Sequence, residues 1–254
     1  MNKLEKFAQM DTYSNVFQAP DFVKLQEAPF YMRGEWGKEY FKNDNPIVLE
    51  LGCGKGEYTV GLAKLYPHLN FIGIDIKGAR MHTGATQALE MGLANAAFLR
   101  THIEFLDRIF APDEVSEVWI TFPDPQMHKP RKRLIGTFML SRYREFLKAG
   151  GLVHLKTDSQ FLFEYTTAML KENNIEPQVT TSDLYAKTSP IDENDPLLTI
   201  QTYYEQKWIG HGLSIKYFRF QCPGKEHKFV EPDVEIELDN YHSVGRGVQI
   251  VHRN

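Results

Sequence analysis

Short apolar runs alternate with longer amphipathic ones along most of this chain, and that rhythm sets the expected architecture. "IVLEL" (47–51), "FIGIDI" (71–76), "AAFLR" (96–100), "EVWITF" (117–122) and "GLVHLKT" (151–157) read as buried strands. Between them lie segments of helical spacing, at about 57–65, 78–91, 103–110, 136–147 and 159–171. In the last, Asp158 or Ser159 stands as N-cap ahead of Leu162, Tyr165, Thr166 and Met169. Strand then helix, five times over, predicts an α/β fold: a parallel sheet with right-handed crossovers and helices on both faces.

The flanks break the rhythm. Residues 1–44 form a polar N-terminal segment with turn signals at Pro20, Pro29 and Gly34, and residues 175–200, with Pro177, Pro190 and Pro196, read as a loop or insertion. "LSIKYFRFQ" (213–221) alternates and is expected at the sheet edge; the tail includes "VEIELDNYHS", expected as another strand. The chain thus divides into 1–44, a domain at 45–221, and a C-terminal extension at 222–254 whose role the sequence leaves open.

Composition narrows the function classes. At 254 residues and 42% hydrophobic content, one globular unit can bury a full core. A net charge of −4 gives no global attraction to nucleic acid, so any such binding needs a local patch. Between Lys129 and Lys148 there is one, with seven Lys or Arg against a single acid, Glu145. Cys53 and Cys222 make no disulfide framework and no zinc spacing, and the nine histidines are scattered, so a reducing compartment and no catalytic metal are expected. With no signal-peptide core at the start and no run of eighteen apolar residues, the expectation is a soluble, cytoplasmic protein without membrane attachment.

The first chemical signal is "VLELGCGKGEYT". Gly52, Gly54 and Gly56 fall where the first strand meets its helix, a point where backbone must pass close to a ligand. Asp75 ends the second strand, 23 residues after Gly52, where a carboxylate can accept both hydroxyls of a ribose. A dinucleotide fingerprint would need glycine at 57, where this chain has Glu57. The pattern is E-x-G-x-G-x-G, with Glu50 at the strand's end, and resembles motif I of methyltransferases that use S-adenosylmethionine. A carboxylate suits that donor's cationic methionine part and would repel a pyrophosphate. Cys53, within the loop, reads as a small filler.

The second signal is "ITFPDPQMHKPRKRLIG" (120–136). It puts Asp124 just past the carboxyl end of the fourth strand, where ligands of open α/β sheets sit, with Pro123 and Pro125 stiffening the turn. His128, Lys129, Arg131, Lys132 and Arg133 follow; clustered cations are the footprint of phosphate contact, so an RNA substrate is the sharper reading of this run.

Taken in order, E-x-G-x-G-x-G, "GIDI", "FPDP" with its basic run, "HLKTD" (154–158), "TYYEQKW" (202–208) and "GHGLSIKYFRF" resemble the bacterial tRNA (guanine-N7-)-methyltransferases over about residues 45–220. The resemblance implies the Rossmann-like seven-stranded methyltransferase sheet, S-adenosyl-L-methionine as donor, and N7 of a tRNA guanosine, at position 46 of the variable loop, as acceptor. It places cofactor contacts at Glu50, Asp75, near His102, and at Asp124, which also matches the presumed catalytic aspartate. Substrate contacts fall on His128, Asp158, and Thr202 to Glu205; the RNA-contacting cations match Lys129, Arg131, Lys132 and Arg133. Departures are a Gln126 where the family has Trp, a shorter link to the basic residues, and Arg100 and His102 in place of the usual Asn-x-Asp pair, with His102 standing either as adenine contact or as plain helix start. Tyr203, Tyr204 and Trp208 could stack a turned-out base or serve the core. Alternatives from other classes are a methyltransferase of small molecules or proteins and a non-catalytic RNA-binding protein; monomer and homodimer both remain open.

Overall fold

The computed structural model describes residues 1–240. Its strands are β1 (Val16–Gln18), β2 (Ile47–Leu51), β3 (Asn70–Asp75), β4 (Ala96–Arg100), β5 (Val115–Thr121), β6 (Leu147–Thr157), β7 (Val179–Thr181) and β8 (Lys216–Gln221). They form one sheet in the order β1-β4-β3-β2-β5-β6-β8-β7. Neighbours from β1 to β6 run parallel, and β8 pairs antiparallel with both β6 and β7.

Seven of these strands make the expected sheet, and β1 is an eighth. It joins the β4 edge in parallel, with Val16 opposite Phe98. Three residues in a polar stretch are too few to show alternation, which is why this strand escaped the sequence pattern. The polar 175–200 segment is not bare loop either: it supplies β7 and the short helix α7 (Pro196–Thr199), capped by Asp195. The strand expected in "VEIELDNYHS" does not form between residues 234 and 240, and residues 241–243 lie outside the described residues. That sheet edge is already taken by β7. The tail instead follows α6 (Gln160–Glu172), bonding Asn173 beyond its C-terminal end through Val230 and Phe161 in its first turn through Asp239.

The remaining main helices are α1 (Lys3–Met10), α2 (Phe22–Glu27), α3 (Glu57–Leu65), α4 (Gly78–Glu90), α5 (Thr137–Tyr143) and α8 (Tyr203–Gly210). Strand alternation sorts the core into two clusters. Ile47, Leu49 and Leu51 meet α5, α6 and the N-terminal segment; Val48, with Phe71 and Trp119 from neighbouring strands, meets α3 and α4. By the same alternation Glu50, Thr121 and Lys156 project on the α3 face, so three polar side chains sit at the sheet's carboxyl end beneath α3. Among the described residues, no helix is long and apolar enough to cross a membrane.

Candidate functional site

Strand order reverses between β2 and β5, and two hollows open at the carboxyl ends of these strands, as expected for an open α/β sheet. The first, of about 340 Å³, is walled by Glu50, the glycine loop, Thr121 and Thr202 to Tyr204. The second, of about 260 Å³, is walled by Thr101, His102, Asp124, Gln126 and Lys132. Gly52 and Asp75 belong to both, so the two hollows meet in one trough with Asp75 between them.

The glycine loop is shaped for close approach. Gly52 (φ +79) and Gly54 (φ +56) lie in the left-handed region, and a Cβ on Gly52 would meet nothing within 4 Å. The space beside the loop is therefore left for a ligand. Gly56 does a different job: its Cβ would lie 2.6 Å from the Phe98 ring, so this glycine permits helix and strand to pack.

Asp75 accepts the Gly54 N–H at 3.0 Å and the Lys77 N–H at 2.7 Å, which fixes its carboxylate against the loop. Glu50 is 4% exposed and accepts from the Thr59 N–H at 2.9 Å, the Thr59 hydroxyl at 2.6 Å and the Thr121 hydroxyl at 3.0 Å. Burial drives its pKa up to about 7 in spite of those three bonds. A buried carboxylate so poised favours a cationic group beside it. Glu50, Asp75 and the open flank of Gly52 and Gly54 fit S-adenosyl-L-methionine, a donor with a cationic methionine part and a ribose.

Asp124 sits exposed on the wall of the second hollow and accepts the Gln126 N–H at 2.9 Å. Both shoulders of its turn are strained: Phe122 (φ +49) and Gln126 (φ +48) are non-glycine residues in the left-handed region, a conformation that persists only when the surroundings over-determine it. His102 precedes the 3₁₀ turn Ile103–Arg108 and faces the same hollow.

The basic run divides. His128, Lys129, Arg131 and Lys132 are exposed, and Lys132 also lines the trough, so the cationic strip opens on the cleft that holds Asp124. Arg133 departs from expectation. It is 3% exposed, and its guanidinium donates to the carbonyls of Pro125, Gln126 and Met127 at 3.2–3.3 Å.

Of the expected substrate contacts, Thr202 lines the first hollow and caps α8, accepting the Glu205 N–H at 3.1 Å. Asp158 follows the last residue of β6 and is 6% exposed; its Oδ1 is buried with no hydrogen-bond partner among the described residues. Burial, reinforced by Asp239, lifts its pKa to about 6. Glu205 is a second correction. It is fully buried, pairs with Lys156 Nζ at 2.5 Å and accepts the Tyr185 hydroxyl at 2.5 Å, so its carboxylate is not in the trough. Lys156 also donates to the Tyr58 hydroxyl and the Leu197 carbonyl, both at 2.5 Å. Burial brings this lysine down to about 8 against the upward pull of Glu205. Sequence reasoning assigned no role to Lys156, Thr59 or Thr121. Lys156 carried a usable signal, since a lysine inside a buried strand must find a buried partner.

Comparison with known proteins agrees with this geometry. The family model "Putative methyltransferase" matches residues 44–217. A tRNA (guanine-N(7)-)-methyltransferase of Bacteroides fragilis is 56% identical over 96% of this chain and 95% of its own length. One from Porphyromonas gingivalis is 54% identical over 93% of this chain and 96% of its own. Among solved structures, the 16S rRNA methyltransferase KamB aligns with a TM-score of 0.54 at 12% identity over 81% of this chain and 95% of that one, a likeness of fold alone. With relatives this similar across nearly their full length, the chain belongs to the tRNA (guanine-N(7)-)-methyltransferase family.

Proposed function

We propose that the trough binds S-adenosyl-L-methionine and a tRNA guanine side by side, and that the chain methylates N7 of guanosine 46 in the variable loop. The observation that carries this reading is the meeting of the two hollows at Gly52 and Asp75, with Asp124 and Lys132 on the wall of the second. Glu50 faces the methionine end and Asp75 the ribose; His102 lies where the adenine would rest. When bound, the donor supplies an electrophilic methyl on a sulfonium.

The acceptor needs little activation. Guanine N7 has a free lone pair and attacks without first losing a proton, so Asp124 acts by holding the base in line rather than as a strong general base. Positioning of this kind, with water kept out, is worth several kcal/mol of barrier. Of the expected substrate contacts, Thr202 lines the trough, whereas the buried Asp158 lines neither hollow. Lys129, Arg131 and Lys132 hold the RNA backbone beside the cleft.

The test is transfer of labelled methyl from S-adenosyl-L-methionine to unmodified tRNA, with cleavage at 7-methylguanosine to locate the product. Wild type should label one variable-loop guanosine, and Asp124→Ala should bind the donor yet lose at least a hundredfold in turnover. Full turnover by the alanine variant would remove Asp124 from the mechanism, and label at another nucleotide would correct the site.

A further inference from the structure

The buried arginine at the end of the basic run is placed to do something other than bind RNA. We infer that Arg133 is a positioning residue for the turn that carries Asp124, and that Glu231 of the C-terminal extension anchors it, making that extension part of the catalytic apparatus. The inference rests on the reading of Asp124 given above.

The geometry converges from three sides. Arg133 Nε donates to the Pro125 carbonyl at 3.2 Å, and Nη2 donates to Gln126 and Met127 at 3.2 and 3.3 Å. These are three consecutive residues directly after Asp124, and the middle one is the strained Gln126 whose N–H holds the Asp124 carboxylate at 2.9 Å. One guanidinium therefore fixes the backbone on which the aspartate's orientation depends. Its flat face lies over the Tyr165 ring at 3.9 Å, with Phe161 at 5.0 Å, so α6 serves as the floor.

A guanidinium this buried needs a counter-charge, or its desolvation would go uncompensated. The extension provides it: Glu231 Oε1 stands 3.6 Å from Nη1 and accepts the Tyr165 hydroxyl at 2.9 Å, while Oε2 accepts the Thr137 hydroxyl at 2.5 Å. Glu231 is itself held in place. The neighbouring Val230 exchanges two bonds of 2.7 Å with Asn173, and Asp239 accepts from the Ser159 hydroxyl and from the Phe161 N–H at 2.9 Å. The tail is thus pinned at both ends of α6, with Glu231 between the helix and the Asp124 turn.

Arg133→Lys and Glu231→Gln in the full-length protein separate this role from the alternatives. Lysine keeps the positive charge a phosphate would want but lacks the fork that reaches three carbonyls. We expect Arg133→Lys to lower kcat at least tenfold, and Glu231→Gln several-fold. Neither should change the KM for tRNA by more than about twofold, the salt dependence of tRNA binding, or the affinity for S-adenosyl-L-methionine measured by calorimetry. A raised KM with a flattened salt slope and intact kcat would make Arg133 a phosphate contact and overturn the inference. Unchanged kcat and KM with only a lowered melting temperature would reduce it to a stability role and overturn it equally. Should Arg133→Lys fail to fold, Glu231→Gln decides on the same criteria. Absence of transfer by wild type would strike the parent reading instead, so the two failures are distinguishable.

Discussion

Glu50 concentrates the electrostatic problem of the site in one residue. Its carboxyl is raised to about 7 by burial, so below the ordinary carboxylate range folded and unfolded chains are both protonated and no penalty exists. From about 4.5 up to about 7 the unfolded chain is ionised while the folded one keeps its proton, so stability is progressively lost over that window, by on the order of 3 kcal/mol at most, and changes no further above it. Glu50→Gln keeps acceptors for Thr59 and removes that penalty. The apo variant should therefore melt several degrees above wild type at pH 8, with the gap closing near pH 5, in a scanning-fluorimetry series; a gap independent of pH would refute this account. On the proposed placement of the donor, with its cationic end beside this carboxylate, the same variant should bind S-adenosyl-L-methionine at least tenfold more weakly. Gly56 turned out to serve packing against Phe98, whereas the placement of Glu50, Gly52, Gly54 and Asp75 around the first hollow was readable in the sequence because a βαβ unit spaces them at fixed intervals. Glu205 and Arg133 were not: burial of the first depends on a pairing with Lys156 from 49 residues upstream, and burial of the second on a carboxylate from beyond residue 222. Charge type is written in the sequence, whereas which charges the fold encloses is decided by long-range packing.

At the scale of elements, α4 acts on the glycine loop through a glycine that periodicity alone treats as an ordinary helical position. A Cβ at Gly84 would lie 2.5 Å from the Lys55 carbonyl oxygen and 3.0 Å from both Gly56 Cα and the Phe98 ring. Alanine normally gains about 1 kcal/mol over glycine inside a helix. Here the contacts are backbone and a packed ring, neither of which can swing aside, so overpacking should outweigh propensity. Gly84→Ala is expected to destabilise by about 1–3 kcal/mol in urea titration and to weaken donor binding as the loop is pushed outward. A net gain in stability with unchanged affinity would show that α4 can slide without disturbing the loop. The helix expected at 103–110 is a 3₁₀ turn, Ile103–Arg108, whereas the strands at 47–51 and 96–100 and four of the five expected helices were legible because each is long enough to display its period. β1, α7 and the extended tail were not, since elements of three or four residues, or a strap bonded by single side chains, leave no period to read.

For the molecule as a whole, the decisive contrast lies between a net charge of −4 and a cationic strip beside the trough. An acidic protein repels tRNA at long range, and binding must rest on cations close enough to phosphates to displace counterions. Only the exposed members of the run qualify: Lys129, Arg131 and Lys132, with Arg131 resting 4.6 Å over the Phe138 ring. Replacing these three with alanine should weaken tRNA binding at low salt and flatten the plot of log affinity against log salt by roughly two to three units, at a little under one per lost contact. Binding of S-adenosyl-L-methionine should persist. Adding Arg133→Lys to the triple variant should leave the slope where it was, because a guanidinium already committed to three carbonyls and a carboxylate has no counterions to release. A further drop of about one unit would instead mean that the arginine leaves its pocket when RNA arrives, and the molecule would then be one whose Asp124 turn is reshaped by its substrate rather than built in advance.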